Sequence, residues 1–400
     1  MLKNLAKSGF VSFAIVLVHV ISVPFLSIHY DANSFGYLAQ FVLTANLFSL
    51  ALTLRLELAA LRAPSHTESL QISAATFKLA ISLFTVASFL AFFLRRYAPG
   101  PLYVFLPVAA LTTGALLIFQ SLYTRLDRIR EFFWIRLSTL LTITLMQYLL
   151  RSISPNFGLI YGLLIGQSMG LIILCKRSGI LQHVRSVSVL DKLRPHVDYV
   201  IYNVPSAIMN RGTLALPSLI IPRVHGMEAL GHFYMAWRVS EPVFNGITQV
   251  VSGHFWGDVF KKRKNVFSLF RRYTAFCAVV STIILIAAAS LRPIVQQLQT
   301  QFSLETYNIM LVLMVSFSIR CSSSFSSQLF SITGANRKET TWQLLFLLVS
   351  ISCYVFNYAF SQSIFSLVTA LSIAYSVMYT MLGVLLYLHL FKCNLLPDGQ

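Results

Sequence analysis

A chain of 400 residues that is 56% hydrophobic and only 11% charged, with a mean hydropathy of +0.71, excludes a soluble globular protein. Such proteins carry about 25% charged residues, so the composition is that of a polytopic membrane protein. The excess of 31 Lys and Arg over 13 Asp and Glu, net +18, first suggests nucleic acid, but the basic residues lie mostly in short loops between apolar runs. That placement fits a topology signal and attraction to anionic membrane lipids, so no nucleic-acid partner is expected.

Taken in order, apolar segments fall near 9–29, 36–54, 73–94, 101–123, 132–150, 158–175, 200–221, 227–250, 272–291, 306–330, 341–360 and 365–391. An apolar helix needs about 20 residues to cross roughly 30 Å of hydrocarbon, which makes about twelve spans. The fold class expected is therefore an all-α polytopic membrane protein. Lys3 and Lys7 before the first apolar run resemble the start of a signal peptide. No small-residue cleavage site follows and many spans do, so a retained first helix is expected. Pro24 and Pro217 inside spans are tolerable where neighbouring helices satisfy the freed backbone groups.

Orientation follows from the basic residues. With the N-terminus inside, 23 of the 31 Lys and Arg residues fall on inner segments, 5 on outer ones and 3 within spans. Both termini are thus expected in the cytoplasm, with Arg95–Arg96 a local exception. The longest polar stretch, Lys176 to Asp198, divides the chain into an N-terminal six-helix bundle (1–183), a cytoplasmic linker (184–198) and a C-terminal bundle (199–400). A surface helix is expected around Val184–Leu193. The densest basic run, Lys261–Lys264, reads as lipid-surface anchoring. A weak internal repeat pairs Pro24…Gly36 with Pro217…Gly231, about half a chain apart. Same-direction repeats imply a pseudo-twofold along the membrane normal, with a cavity between the halves.

Chemistry concentrates on charges within spans. Arg211 and Arg238 flank the short turn Pro222–Gly226, each near the middle of its span, and Arg320 lies in a serine-rich run that could line a wet path. A charge at that depth costs a few kcal/mol and usually faces a cavity or a partner. Glu241, three residues after Arg238, shares its helical face, and pairing of the two is expected. Arg211 and Arg320 then lack an evident partner. Arginine binds phosphate oxygens bidentately, so these groups are candidates for an anionic ligand. The alternative is that they bond backbone carbonyls or Glu241 and fasten helices. Arg55 and Glu57 close the second span, with Arg62 beyond. They read either as an interfacial salt bridge or, for Glu57, as a gate that pairs with a cation of the other half. Asp198 opens the seventh span, where a carboxylate suits the helix dipole. His19, midway along the first span, is a proton-relay candidate or a hydrogen-bonding side chain.

Five scattered cysteines form no CxxC or Cys/His cluster, so neither a disulfide framework nor a metal site is expected. Ser252-Gly-His254 has no Asp at triad spacing. No Walker A, GxGxxG or Asp-x-Asp motif occurs, which argues against an ATP-driven pump and a metal-dependent glycosyltransferase. No cofactor and no enzymatic activity are expected, though proton or ion coupling fits such a protein.

Four stretches resemble a family. Leu54-Arg-Leu-Glu-Leu-Ala-Ala60 is similar to the Arg-Tyr-Glu-Leu-Ala signature of oligosaccharide-lipid flippases, the Wzx-type polysaccharide exporters of the MOP superfamily. Asp198-Tyr-Val-Ile-Tyr-Asn-Val-Pro205-Ser-Ala-Ile-Met-Asn210 resembles their Asp-Phe-Pro-x-Tyr-x-x-Pro-Ser…Asn motif. Gly226-Met-Glu-Ala-Leu-Gly231-His-Phe-Tyr-Met-Ala236 resembles their Gly-x-Glu-x-x-Gly-x-Phe-x-x-Ala motif, and Gly334-Ala-Asn-Arg-Lys338 their basic turn. Two positions depart: Leu56 stands for the usual Tyr and Val200 for the first Pro. The resemblance implies two six-helix bundles around a central cationic cavity and translocation of an undecaprenyl-diphosphate-linked oligosaccharide across the bacterial inner membrane, for O-antigen, capsule or exopolysaccharide. It implies a diphosphate on Arg211, Arg238 and Arg320, and partnership with a polysaccharide polymerase and chain-length proteins. A multidrug or cation antiporter on the same architecture would need uncompensated intramembrane carboxylates. A membrane glycan polymerase would need a large external loop. Both remain alternatives.

Overall fold

The structure, a computed structural model, describes residues 2–94, 102–261, 266–297, 302–326, 330, 336–360 and 363–394. The described residues are almost wholly helical. The first half runs α1 (Leu2–Ser27), α2 (Ala32–Thr53), α3 (Glu57–Arg62), α4 (His66–Leu94), α5 (Leu102–Arg125), α6 (Ile129–Leu149) and α7 (Gly158–Ser178). Two short helices follow, α8 (Ile180–Ser186) and α9 (Val189–Leu193). The second half has α10 (Val197–Val224), α11 (Gly226–Lys261), α12 (Val266–Ser290), α13 (Arg292–Gln297), α14 (Leu304–Ser324), α15 (Asn336–Ala359) and α16 (Ile364–Asn394).

Over the described residues each apolar segment read from the sequence overlaps one of the long helices, with 306–330 running past the end of α14 at Ser324. Nine of the long helices, among the described residues, meet a strict length and hydropathy requirement for a membrane span. α10 and α11, which carry Arg211 and Arg238, are not among the nine. With 36 residues, α11 is roughly 54 Å long, well beyond the hydrocarbon thickness. The expected surface helix appears as α8 and α9, separated by Val187 and Ser188. Ser188 caps α9 by accepting from the Asp191 amide.

The chain groups into two compact units, Asn33–Leu219 and a unit made of Met1–Ala32 with Ile220–Gln400. The division differs from the 1–183 and 199–400 halves for two reasons. The first helix packs along α11, where Gly246 lies close to Val16, and the other boundary falls within α10 rather than in the linker.

The Asn33–Leu219 unit has its core among α3, α4, α5 and the flanking ends of α6–α9, including Phe77, Phe119, Tyr123 and Phe132. α6 and α7 pair closely because Gly162, Gly166 and Gly170 turn one glycine stripe toward Gln147, Ile143 and Thr139; a Cβ at any of the three would collide. Small residues at four-residue spacing drive helix association in lipid, where apolar burial gives little. Two arginine and lysine side chains that the topology count treats only as charge have structural partners. Arg125 donates from Nε and Nη2 to the Ala63 carbonyl at 3.0 and 2.9 Å, and Lys78 Nζ donates to Val187 O at 3.0 Å. They tie the α3–α4 connection and the α8–α9 connection to the bundle.

In the other unit, α14 packs on α11, α12 and α16, with buried Phe255, Phe325, Tyr307, Trp342 and Phe346 in its core. The turn expected at Pro222–Gly226 is tighter than the sequence suggests. α10 continues to Val224, and only His225 separates it from Gly226, which has φ of +88°. Five residues on, a Cβ at Gly231 would overlap the Ala32 carbonyl. Both glycines of the Gly-x-Glu-x-x-Gly stretch are thus required by backbone geometry.

Candidate functional site

In the Asn33–Leu219 unit, Arg211 projects from the middle of α10 toward α2. Its Nη1 donates to Asn46 O at 2.9 Å and to Ser49 Oγ at 3.0 Å. Ser49 Oγ donates to the same Asn46 carbonyl at 2.7 Å. Arg211 thus makes the backbone-carbonyl bond that the sequence left open as the alternative to a ligand, and it fastens α10 to α2. Sequence spacing hides this because the contact joins residues 165 apart. The guanidinium makes no ion pair among the described residues, so its charge is uncompensated by contact.

One helical turn beyond Ser49, α2 stops. Leu54 and Arg55 adopt φ of +49° and +59°, a left-handed conformation that costs roughly 1 kcal/mol or more per non-glycine residue. The reversal folds Arg55 back onto Glu57, with Nη1 to Oε1 at 3.2 Å. The Glu57 side chain is only 3% exposed, and its Oε2 has no hydrogen-bond partner among the described residues. One oxygen of the carboxylate is thus engaged within its own motif. Arg62 lies at the end of α3; its side chain is outside the described ones.

In the other unit, the expected pairing of Glu241 with Arg238 does not form. Glu241 Oε1 lies 3.9 Å from Arg320 Nη1, and Oε2 accepts from Trp237 Nε1 at 3.1 Å. The reason is geometric. A carboxylate three residues after an arginine shares its general face, but α14 brings a guanidinium directly opposite α11. Trp237, one turn before Glu241, was legible as an (i, i+4) partner and stacks edge-on against Phe317 at 4.9 Å. Tyr379 of α16 places its ring 5.8 Å from the Arg320 guanidinium carbon, within cation–π range. A cavity of about 10 Å³, enough for one water molecule, lies among Glu241, Asn245, Thr248, Arg320, Cys321 and Ser324.

Arg238 is left without the carboxylate assigned to it. Its Nη1 is buried and has no hydrogen-bond partner among the described residues. In the serine run around Arg320, Ser316, Ser318 and Ser322 donate back to carbonyls of their own helix at 2.8, 2.7 and 3.2 Å, while Ser324 borders the small cavity. His19 lies within α1, its carbonyl accepting from Ser22 Oγ at 3.1 Å. Asp198 sits in the first turn of α10, and its side chain is outside the described ones. Arg95, Arg96, Gly334 and Lys262 to Lys264 also lie outside the described residues. Among the described residues no three His, Cys, Asp or Glu side chains converge to hold a metal ion.

This arrangement of helices recurs in solved structures. The lipid II flippase MurJ in an inward closed conformation aligns with a TM-score of 0.63 at 12% identity, covering 96% of this chain and 87% of that one. An outward-facing multidrug resistance MATE family transporter of the MOP superfamily aligns with a TM-score of 0.65 at 10% identity, covering 98% and 96%. The fold is that of MOP-superfamily transporters. A further MOP-superfamily transporter, from Pyrococcus furiosus and described as having a binding pocket of reverse polarity, aligns with a TM-score of 0.63 at 10% identity. It covers 98% of this chain and 94% of its own. No family model and no curated protein sequence matches the chain. With that fold and its apolar helices the chain is a multi-pass membrane protein, and the solved structures it resembles are transporters and flippases rather than enzymes.

Proposed function

We propose that this protein is a transporter that moves an anionic, diphosphate-linked lipid glycan across the bacterial inner membrane, with both termini in the cytoplasm. The observation that carries the reading is the uncompensated positive charge within the spans. Among the described residues Glu241 is engaged by Arg320 and Trp237 and Glu57 by Arg55, while neither Arg211 nor Arg238 makes an ion pair. The buried Nη1 of Arg238, which has no protein acceptor among the described residues, supplies the sharpest anion-binding group. A buried donor left unmatched costs about 1–3 kcal/mol, which a phosphate oxygen would recover. The diphosphate-linked substrate follows from the motif resemblance, and the structural likeness to a lipid II flippase supports it. The glycan would belong to O-antigen, capsule or exopolysaccharide assembly, where a polymerase and chain-length proteins act next. No covalent bond changes in this reading.

A multidrug resistance MATE family transporter has the same fold, and a cation antiporter is the second reading. It needs a carboxylate free to bind a cation, whereas Glu241 is already paired and Glu57 is held by Arg55.

The test is Arg238→Ala in cells that depend on this chain for surface glycan. Surface glycan is expected to vanish, with the variant inserted at normal level and single lipid-linked repeat units accumulating on the cytoplasmic leaflet. Arg238→Lys restores part of the export, since it retains charge without the fork. Normal glycan display in Arg238→Ala overturns the anion-site reading. Accumulation on the periplasmic leaflet points instead to a polymerase.

A further inference from the structure

At one end of the α6–α7 pair lies a groove that the transport reading does not use. It has a volume of about 670 Å³ and lies entirely within one unit, between the start of α6 and the end of α7. Its rim is cationic. Arg128, Arg130 and Arg177 surround one carboxylate, Glu131, which pairs with Arg128 Nη2 at 2.6 Å and with Arg177 Nη1 at 3.5 Å. One negative charge cannot neutralise three guanidiniums, so the rim keeps an excess of two positive charges. Arg130 is exposed and forms no ion pair among the described residues.

The groove then turns apolar. Trp134, 45% exposed, Ile135 and Ile173 line its wall beyond the rim. The exposed surface continues apolar along both helices, through Leu141, Leu145 and Leu149 on α6 and Met169 and Ile165 on α7. From Trp134 to Leu149 this track is roughly 22 Å long, against about 15 Å for half a bilayer's hydrocarbon. An exposed tryptophan beside clustered arginines marks a membrane–water interface, and basic pockets between spanning helices suit phosphate headgroups.

We propose that this groove is a binding site for one anionic phospholipid, its phosphate on Arg130 and Arg177 and an acyl chain along the α6–α7 track. A free phosphate would satisfy the rim but leave the apolar track unused. The site is separate from Arg211, Arg238 and Arg320, so it stands or falls independently of the transported substrate.

The experiment is native mass spectrometry of the full chain extracted from phosphatidylcholine vesicles with and without phosphatidylglycerol. The chain is expected to retain phosphatidylglycerol over phosphatidylcholine, and Arg130→Gln/Arg177→Gln to weaken that retention by roughly thirtyfold. A charge-matched control away from the groove, Arg185→Gln/Arg194→Gln, should retain lipid like the parent. Ser138→Trp fills the groove without removing a charge and should also expel the lipid, which separates a lost site from a misfolded rim. Equal losses in groove and control variants, or no preference for phosphatidylglycerol in the parent, overturn the proposal. So does displacement of phosphatidylglycerol by undecaprenyl diphosphate from the groove, which would make it a substrate site.

Discussion

Two ion pairs, one in each unit, use arginine in opposite ways. Arg55–Glu57 is local, 3.2 Å long and closed over a carboxylate that is 3% exposed. Arg320–Glu241 joins two helices 79 positions apart in sequence, is 3.9 Å long, and leaves its side chains 25% and 31% exposed. A carboxylate as buried as Glu57 cannot lose its partner without a heavy desolvation cost, whereas a pair about a quarter to a third exposed and at the limit of contact exchanges partners more cheaply. The first pair therefore holds a chain reversal in place. Under the proposed function, the second is the one that an incoming anion would open. Sequence motifs rank them the other way, since Arg55 and Glu57 sit in a recognisable signature and Glu241 in none.

The largest effect expected from breaking this contrast is on stability. Arg55→Ala strands the Glu57 carboxylate in a buried position and should destabilise the protein by about 3 kcal/mol, read as a lowered thermal midpoint in detergent. Arg55→Ala combined with Glu57→Gln removes the charge as well and should recover much of that loss. If the double variant is as unstable as the single, the strained backbone at Leu54 and Arg55, not the ion pair, carries the cost.

A smaller effect is expected across the helices. Glu241→Gln retains an acceptor for Trp237 Nε1 but frees Arg320, and should change stability by less than about 1 kcal/mol. Under the proposed function the arginines rather than the carboxylate meet the substrate, so export of glycan should persist within about tenfold. Complete loss of transport with intact folding would instead favour the cation-antiporter alternative, in which Glu241 is the binding group.

How much of this was legible follows from the kind of signal each feature leaves. The long helices were readable because hydrocarbon thickness imposes a length that any apolar run reports. The ends of α11 were not, since its last turns run past the apolar stretch toward Lys261 and leave the membrane criterion behind. The glycine stripe of α7 was present as Gly162, Gly166 and Gly170, a spacing that predicts close helix packing, and passed unread beside the charged residues. Arginines within apolar runs are legible in the sequence, because a charge there stands out. Their partners were not: helical periodicity relates Glu241 to Arg238, but only tertiary packing relates it to Arg320. Left-handed backbone at Leu54 and Arg55 leaves no compositional trace, whereas Asp127, with φ of +56°, is a residue type that tolerates it.

Arg211 offers the smallest and most discriminating change. Lysine at this position still reaches an acceptor, so Arg211→Lys can retain one bond to Asn46 O or Ser49 Oγ while losing the planar fork. One hydrogen bond from a charged donor is worth about 1.5–3 kcal/mol net, which bounds the loss of thermal stability. Export responds differently under the two readings of this residue. If Arg211 only fastens α10 to α2, glycan display in Arg211→Lys should track the small stability loss and stay near normal. If its uncompensated charge also meets the diphosphate, display should fall severalfold at unchanged folding, because a point charge replaces a bidentate one. We expect the fall. A variant with parental melting and parental glycan display would reduce Arg211 to a structural clamp and leave Arg238 as the anion-binding group.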